Sequence, residues 1–345
     1  MLKVGIIGAG HIADRHIKGY KAAGCEVVAV ADVNIDNAKA RADEFEIKNV
    51  YSDYKELLKD DSIDAVSVAT PTFTHKDVVV DALRSGKHVL CEKPPALNAD
   101  EVKECEKVAK ETDKLLMYGM VCRFHKSSEY LKKYIEAGRF GDFVSADCTR
   151  TSRCTGSNSW FASREKGGGS LRDECIHEID LVMYLMGYPR PKYVVANESF
   201  VNQDLPARIN KGGWVSFDKT IHKRDIESAI EGFVVLDNGA SIRVRSSHIL
   251  NTIHPARTIE LIGEKSGMMI EKDGTLNMLE LVDDCYVESK PDLPSGPSAE
   301  IQVQHFVDCI VNGIECKVKT SEAVILMEII DALYKSASTK QPVIF

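Results

Sequence analysis

Lys93 lies in the stretch His88-Val-Leu-Cys-Glu-Lys-Pro-Pro95, which starts as a buried strand and is stopped by proline. In an open α/β sheet, ligands sit just past the carboxyl ends of the strands. A lysine held there can relay a proton, anchor a substrate hydroxyl, or serve only as a solvated charge. Further on, Gly167-Gly-Gly-Ser-Leu-Arg-Asp-Glu-Cys-Ile-His-Glu-Ile-Asp180 opens a helix, with Ser170 as its expected N-cap. Asp173, His177, Asp180 and Tyr184 are spaced i, i+4, i+7 and i+11. At about 100° per residue they form one narrow polar stripe beside the apolar stripe of Ile176, Ile179 and Met183. Three readings compete. The stripe is a solvated face with Asp–His pairing, or a metal site, or a general base oriented by an aspartate. The stripe carries one histidine and no other His or Cys has partner spacing, so the expectation is no metal. Alcohol oxidation needs the third arrangement. As hydride leaves, the hydroxyl proton must go to a base poised near neutral pH, and histidine suits that best.

A partner for hydride is written at the start of the chain. Residues 2–7 form an apolar run, Gly8-Ala-Gly-His-Ile-Ala13 follows, a helical pattern runs to Ala23, and a second apolar run ends at Asp32. The first glycine permits a tight turn, the second lets the backbone approach a pyrophosphate, and the third position needs only close packing, which Ala13 allows. The helix N-terminus favours phosphate. The alternative is a glycine-rich turn in an unrelated α/β domain. Asp32 can accept both adenosine ribose hydroxyls and would repel a 2′-phosphate, and Val33-Asn34 supplies no arginine, so NAD is expected over NADP. Thr70 and Pro71 follow a strand at 64–69 and are expected on the nicotinamide side. His75 reads either as a contact there or as a helix N-terminal residue.

These residues need a scaffold. Strands alternating with helices up to a last strand at 115–118 imply a doubly wound parallel sheet. Asn98 is the expected N-cap of a helix reaching about 111. After Gly119 the rhythm changes. A helix at 126–137 and a strand at 143–150 lead to strands at about 191–201, 226–236, 240–249, 256–262, 267–272 and 275–281, with tight turns at Asp237-Asn238-Gly239 and Asp273-Gly274. This is an α+β second domain with a mainly antiparallel sheet. Helices at 299–312 and 321–338 close the chain, and residues 202–224 form a long loop. The expected division is 1–121 and 122–345, with the C-terminal helices free to pack back on the first part. Length fits about two domains. The 345 residues are 44% hydrophobic and 28% charged, enough for substantial cores. Net charge is −8 with no basic run, which argues against nucleic acid. No stretch has the apolar length of a membrane span, no signal peptide is evident, and ten cysteines show no Cys-x-x-Cys pair. A disulfide scaffold or zinc site is not expected, and reduced thiols in the cytoplasm are the simpler reading.

Gly8-Ala-Gly-His-Ile-Ala13, Ala69-Thr-Pro71 with His75, Cys91-Glu-Lys-Pro94, and Gly167-Gly-Gly with Asp173-x-x-x-His177-x-x-Asp180 occur in that order. Together they resemble the glucose–fructose oxidoreductase / inositol dehydrogenase / rhizopine catabolism (Gfo/Idh/MocA) family over nearly the whole chain. Pro95 doubles the usual single proline, and Cys175 stands where a small residue is common. The resemblance implies catalytic roles for Lys93, Asp173 and His177, with Lys93 stabilising the developing alkoxide. It implies cofactor contacts from Gly8, Gly10, His11, Ile12, Asp32, Val33, Thr70, Pro71, His75, Glu92 and Lys93. Substrate contacts are expected around Arg123, Arg150, Trp160 and Arg164, although each also reads as structural. The implied activity is oxidation of a secondary hydroxyl of an inositol, sugar or sugar derivative by a homodimer or homotetramer joined through the second sheet. Two alternatives stand beside it: a glycosidase that keeps its NAD, and an NAD-binding regulator without turnover.

Overall fold

A computed structural model of the chain describes residues 1–152, 160–201, 224–253 and 256–345. The expected loop at 202–224 thus lies, except for its last residue, outside the described residues. Two compact units emerge, Met1–Phe124 with Pro297–Val324, and His125–Gly296 with Ile325–Phe345.

In the first unit, β1 (Lys3–Ile7), α1 (His11–Ala22), β2 (Glu26–Ala31), α2 (Ile35–Phe45), β3 (Asn49–Tyr51), α3 (Tyr54–Leu58), β4 (Ala65–Val68), α4 (His75–Arg84), β5 (His88–Cys91), α5 (Ala99–Thr112) and β6 (Leu116–Tyr118) alternate. The six strands form one parallel sheet in the order β3-β2-β1-β4-β5-β6. Helices cover both faces, so the strands read as continuous apolar runs. Val4, Ile6, Val30, Val66, Val89 and Leu90 are fully buried. Strand order reverses between β1 and β4, the switch point at which such sheets bind ligands. Asn98 caps α5 as expected, accepting from Glu101 N at 2.9 Å, while Glu101 accepts from Leu97 N in return. The helix at Ser298–Asn312 returns to this unit and packs on α1. A Cβ on Gly19 would lie 2.8 Å from Val303 Cβ, so glycine sets how closely the two helices approach.

In the second unit, α6 (Lys126–Glu136), β7 (Phe143–Thr151), α7 (Ile176–Leu185), β8 (Pro191–Ser199), β9 (Ala229–Leu236), β10 (Ser241–Ser247), β11 (Arg257–Gly263), β12 (Ser266–Ile270), β13 (Leu276–Val282) and β14 (Cys285–Ser289) follow. Then come the Ser298–Asn312 helix (α8), α9 (Thr320–Thr339) and β15 (Val343–Ile344). The sheet runs β14-β13-β12-β11-β7-β10-β9-β8-β15. It is mainly antiparallel, with one exception: β7 and β10 pair in parallel, because the excursion through α7, β8 and β9 brings the chain back in the same direction. Along β9 and β10, Val234, Leu236, Ile242 and Val244 are buried, whereas Phe233, Arg243 and Arg245 face out. The α7 helix packs on β7 and β11. Among the described residues no helix is long and apolar enough to cross a membrane.

Candidate active site

In the first unit the glycine turn is built as its residue types require. Gly8 has φ of +97°, and a Cβ there would stand 2.5 Å from Ala69 O, so both conformation and space demand glycine. Its N–H donates to Ala31 O at 2.8 Å, tying the turn to β2. Gly10 caps α1 with no side chain, and a Cβ there would meet no atom within 4 Å. This is room for a ligand's approach, beside a helix N-terminus that no side chain caps. Ala13 is fully buried and supplies the close packing its position needs. His11 is exposed and Ile12 half-buried in the first turn of α1. Asp32 stands at the carboxyl end of β2. One carboxylate oxygen accepts from Ala9 N at 2.8 Å, the other from Asn34 N at 2.8 Å, which fixes its orientation. Val33 beside it is 95% exposed. These residues could hold a dinucleotide, Gly10 leaving room for a pyrophosphate and Asp32 offering a carboxylate to a ribose. Sequence reading missed Arg41, whose Nε reaches Ala9 O at 3.4 Å. Its guanidinium is held by Asp14 at 2.8 Å and Glu44 at 2.5 Å.

At the ends of β4 and β5 a second group assembles. Thr74 Oγ1 donates within the turn toward Thr70 Oγ1 and Pro71 O, both at 2.8 Å. His75 is buried, its ring nitrogens each 2.8 Å from a carbonyl oxygen, Pro94 O and Thr70 O. It therefore braces the loop after β4 against the Lys93-Pro94 segment. Burial pushes its pKa down, against the two carbonyl contacts that pull it up. Glu92 accepts from His16 Nε2 at 2.9 Å and from Lys93 N at 3.2 Å. His16 Nδ1 lies 2.8 Å from Ser67 Oγ, which also bonds Tyr20 Oη at 2.9 Å. Burial raises the Glu92 pKa, but the His16 bond and charge, with Lys93, bring it net below the ordinary carboxylate value. Lys93 is half-buried beside this group. His16 was not singled out from sequence. Its signal is its place with Ala13, Ile17 and Tyr20 on the buried face of α1.

In the second unit the helix carrying Asp173 and His177 departs from the expected regular geometry. Ser170–Cys175 is a π-helical turn, and the chain becomes α-helical only at Ile176. Such insertions recur at functional sites. The cap is Gly169, not Ser170, and a constant 100° per residue does not apply across the junction. Asp180 leaves the stripe altogether: it is buried and accepts from Tyr188 Oη at 2.6 Å. Asp173 and His177 remain half-buried. The turn is set by Glu227, fully buried, whose Oε1 accepts from Leu171 N at 3.0 Å, Ser170 Oγ at 3.1 Å and Tyr334 Oη at 3.2 Å. Around it two of the three glycines are sterically forced. A Cβ on Gly168 would lie 2.1 Å from Phe161 O, and one on Gly169 would lie 2.7 Å from Tyr334 Oη.

The four arginine and tryptophan positions expected near substrate have structural partners. Arg123, in the first unit, is almost fully buried and donates to Lys317 O at 2.8 Å and Glu322 at 2.5 Å. Arg164 pairs with Glu198 at 2.6 Å and Glu227 at 3.2 Å. Trp160 stacks on Phe161 with ring centroids 3.7 Å apart. Arg150 donates to Glu174 at 2.8 Å, next to Asp173 in sequence, and Glu178 lies 3.8 Å from it. Burial opposes its charge, yet the two glutamates hold its pKa above the ordinary value.

Residues 2–120 match the family described as an oxidoreductase family with an NAD-binding Rossmann fold, and residues 132–345 match its C-terminal alpha/beta domain. A D-glucoside 3-dehydrogenase of Escherichia coli (strain K12) is 30% identical, the match covering 98% of this chain and 96% of the relative. An inositol 2-dehydrogenase of Rhizobium meliloti (strain 1021) is 25% identical, covering 99% of this chain and 98% of the relative. The solved structure of a levoglucosan dehydrogenase complexed with NADH and L-sorbose superposes with a TM-score of 0.86 at 22% identity, covering 100% of this chain and 98% of that one. This last likeness is one of fold.

Proposed function

Because the chain belongs to the Gfo/Idh/MocA oxidoreductase family, an NAD-binding one, we propose that it oxidises a secondary hydroxyl of a sugar, an inositol or a derivative of these. When bound, NAD supplies the hydride acceptor. The observation that carries the reading is the Asp173/His177 pair, half-buried on a helix whose irregular start is locked by buried Glu227. A merely solvated stripe needs no such anchoring. The relatives named as glucoside and inositol dehydrogenases point to the substrate class.

Each residue then has a task. His177 takes the hydroxyl proton, and Asp173 orients it or holds its positive charge. Lys93 donates to the reacting oxygen and stabilises negative charge as it develops there. Glu92, fixed by His16, orients the backbone from which Lys93 projects. Gly8, Gly10, His11 and Ile12 receive the pyrophosphate, Asp32 the adenosine ribose with Val33 beside it, and Thr70 and Pro71 the nicotinamide side, with His75 acting through the brace described above. Arg150 is the remaining candidate for a substrate contact.

The exposed sheet face, with Tyr193, Val195, Phe233 and Ile262, is where a second copy would dock to give a homodimer or homotetramer. Light scattering tests this. A monomer at all working concentrations would contradict it. The activity itself is tested by turnover on a panel of inositols and sugars with NAD, following NADH. A folded, NAD-binding protein that turns over none of them contradicts the proposal.

A further inference from the structure

A second chemical grouping stands in the first unit, outside every role assigned above. His305 and Cys309 are four residues apart on α8, and Cys316 returns to them in the turn before α9. Cys309 Sγ lies 3.5 Å from His305 Nε2. The three ligand atoms all lie within 4.8 Å of one another, and among the described residues this is the one such group of His, Cys, Asp or Glu. We propose that His305, Cys309 and Cys316 bind a thiophilic divalent cation of the zinc class.

The geometry carries this. Tetrahedral zinc, with Zn–S of about 2.3 Å and Zn–N of about 2.0–2.1 Å, separates sulfur from nitrogen by about 3.6 Å and sulfur from sulfur by about 3.8 Å. The observed 3.5 Å meets the first, and the 4.8 Å limit contains the second. Two thiolates and an imidazole form a soft set that selects zinc over magnesium or calcium. His305 is buried and both cysteines are half-buried, so the set is shielded while an ion can still enter. Arg123 holds Lys317 O at 2.8 Å, which fixes the turn carrying Cys316 before any ion arrives.

Binding changes two contacts. Lys317 N–H, which donates to His305 Nε2 at 2.9 Å, gives up that lone pair to the metal. The Cys316 thiol, directed to Val318 O at 3.3 Å, loses its proton, as does Cys309. Three protein ligands leave a fourth position for water. The pattern His-x₃-Cys-x₆-Cys contains no Cys-x-x-Cys, which is why the spacing gave no zinc signal.

Cobalt reports this directly. Full-length protein, reduced and stripped with chelator, is titrated with Co(II) alone. One equivalent is expected to give thiolate-to-cobalt charge transfer in the near ultraviolet and the visible bands of tetrahedral cobalt, both removed by Zn(II). Cys309→Ser and Cys316→Ser should each weaken the charge-transfer band, and the double variant should lose it. Reduced wild-type protein without that band overturns the proposal. So does a band unchanged in both serine variants. Should the reduced protein bind no cobalt while peroxide joins Cys309 to Cys316, the pair is a redox couple instead. The readout is independent of sugar turnover, so failure of either proposal leaves the other standing.

Discussion

His16 Nε2 lies 2.9 Å from Glu92 Oε1, with the histidine buried on α1 and the glutamate immediately before Lys93. This contact joins the helix of the glycine turn to the strand end that carries the lysine. Removing one partner of a buried pair leaves the other uncompensated. His16→Ala is therefore expected to cost about 2–4 kcal/mol at pH 7, read by urea unfolding. The pH dependence follows from the lowered Glu92 pKa. Its ionised form is favoured in the folded state, so its stabilisation is present above the unfolded value of about 4.3 and is lost as pH falls through the folded value. The gap between wild type and variant should narrow below about pH 4. A gap that stays constant well below that pH would assign the cost to packing alone.

In the proposed binding mode Asp32 ties cofactor choice to the glycine turn, since its carboxylate accepts from Ala9 N and Asn34 N. NAD should be strongly preferred to NADP, and Asp32→Ala should narrow the preference by relieving repulsion of the 2′-phosphate. The same change frees Ala9 N, so NAD affinity should fall as well, whereas Asp32→Asn keeps an acceptor for one of the two amides. Relative kcat/KM for the two cofactors decides this. A wild type that uses both equally would contradict the role of Asp32.

Glu227 is expected to act through position. Glu227→Ala removes acceptors from Leu171 N, Ser170, Tyr334 and Arg164 at once, and should destabilise by about 3–5 kcal/mol. Glu227→Gln retains an oxygen for the first three and loses the Arg164 pair, so it should recover most of the stability and of kcat. The shape of the pH–rate profile should stay the same in Glu227→Gln, because the base is unchanged. A profile displaced in that variant would give Glu227 a direct part in proton transfer.

Much of this was legible in the sequence because it rests on short-range rules. The parallel sheet follows from buried apolar runs separated by helices, and Gly8 and Asn98 from backbone requirements that act within a few residues. The antiparallel strands followed from a run of strands without intervening helices and from turns at Gly239 and Gly274. What escaped depends on distant partners. The three-residue strand β3, exposed β14 and two-residue β15 carry no burial pattern of their own. The π turn at Ser170–Cys175 is imposed by Glu227, more than fifty residues away, so Ser170 mimicked an N-cap and Asp180 mimicked a stripe residue. Arg123 read both as a ligand contact and as structural, because sequence cannot show Lys317 and Glu322 beside it.

The division of catalysis is tested most directly by His177→Ala, measured as kcat on the best substrate together with the NAD dissociation constant. Loss of the base should lower kcat by about 10²–10⁴ with NAD affinity nearly unchanged. Lys93→Ala should do similar harm, and the double variant should lose less than the product of the two, as groups acting as a unit do. Asp173→Asn should cost less than His177→Ala if Asp173 only orients the base. Wild-type kcat in His177→Ala, Lys93→Ala and Asp173→Asn, all folded and binding NAD, would contradict the assignment and return the helix to a solvated face.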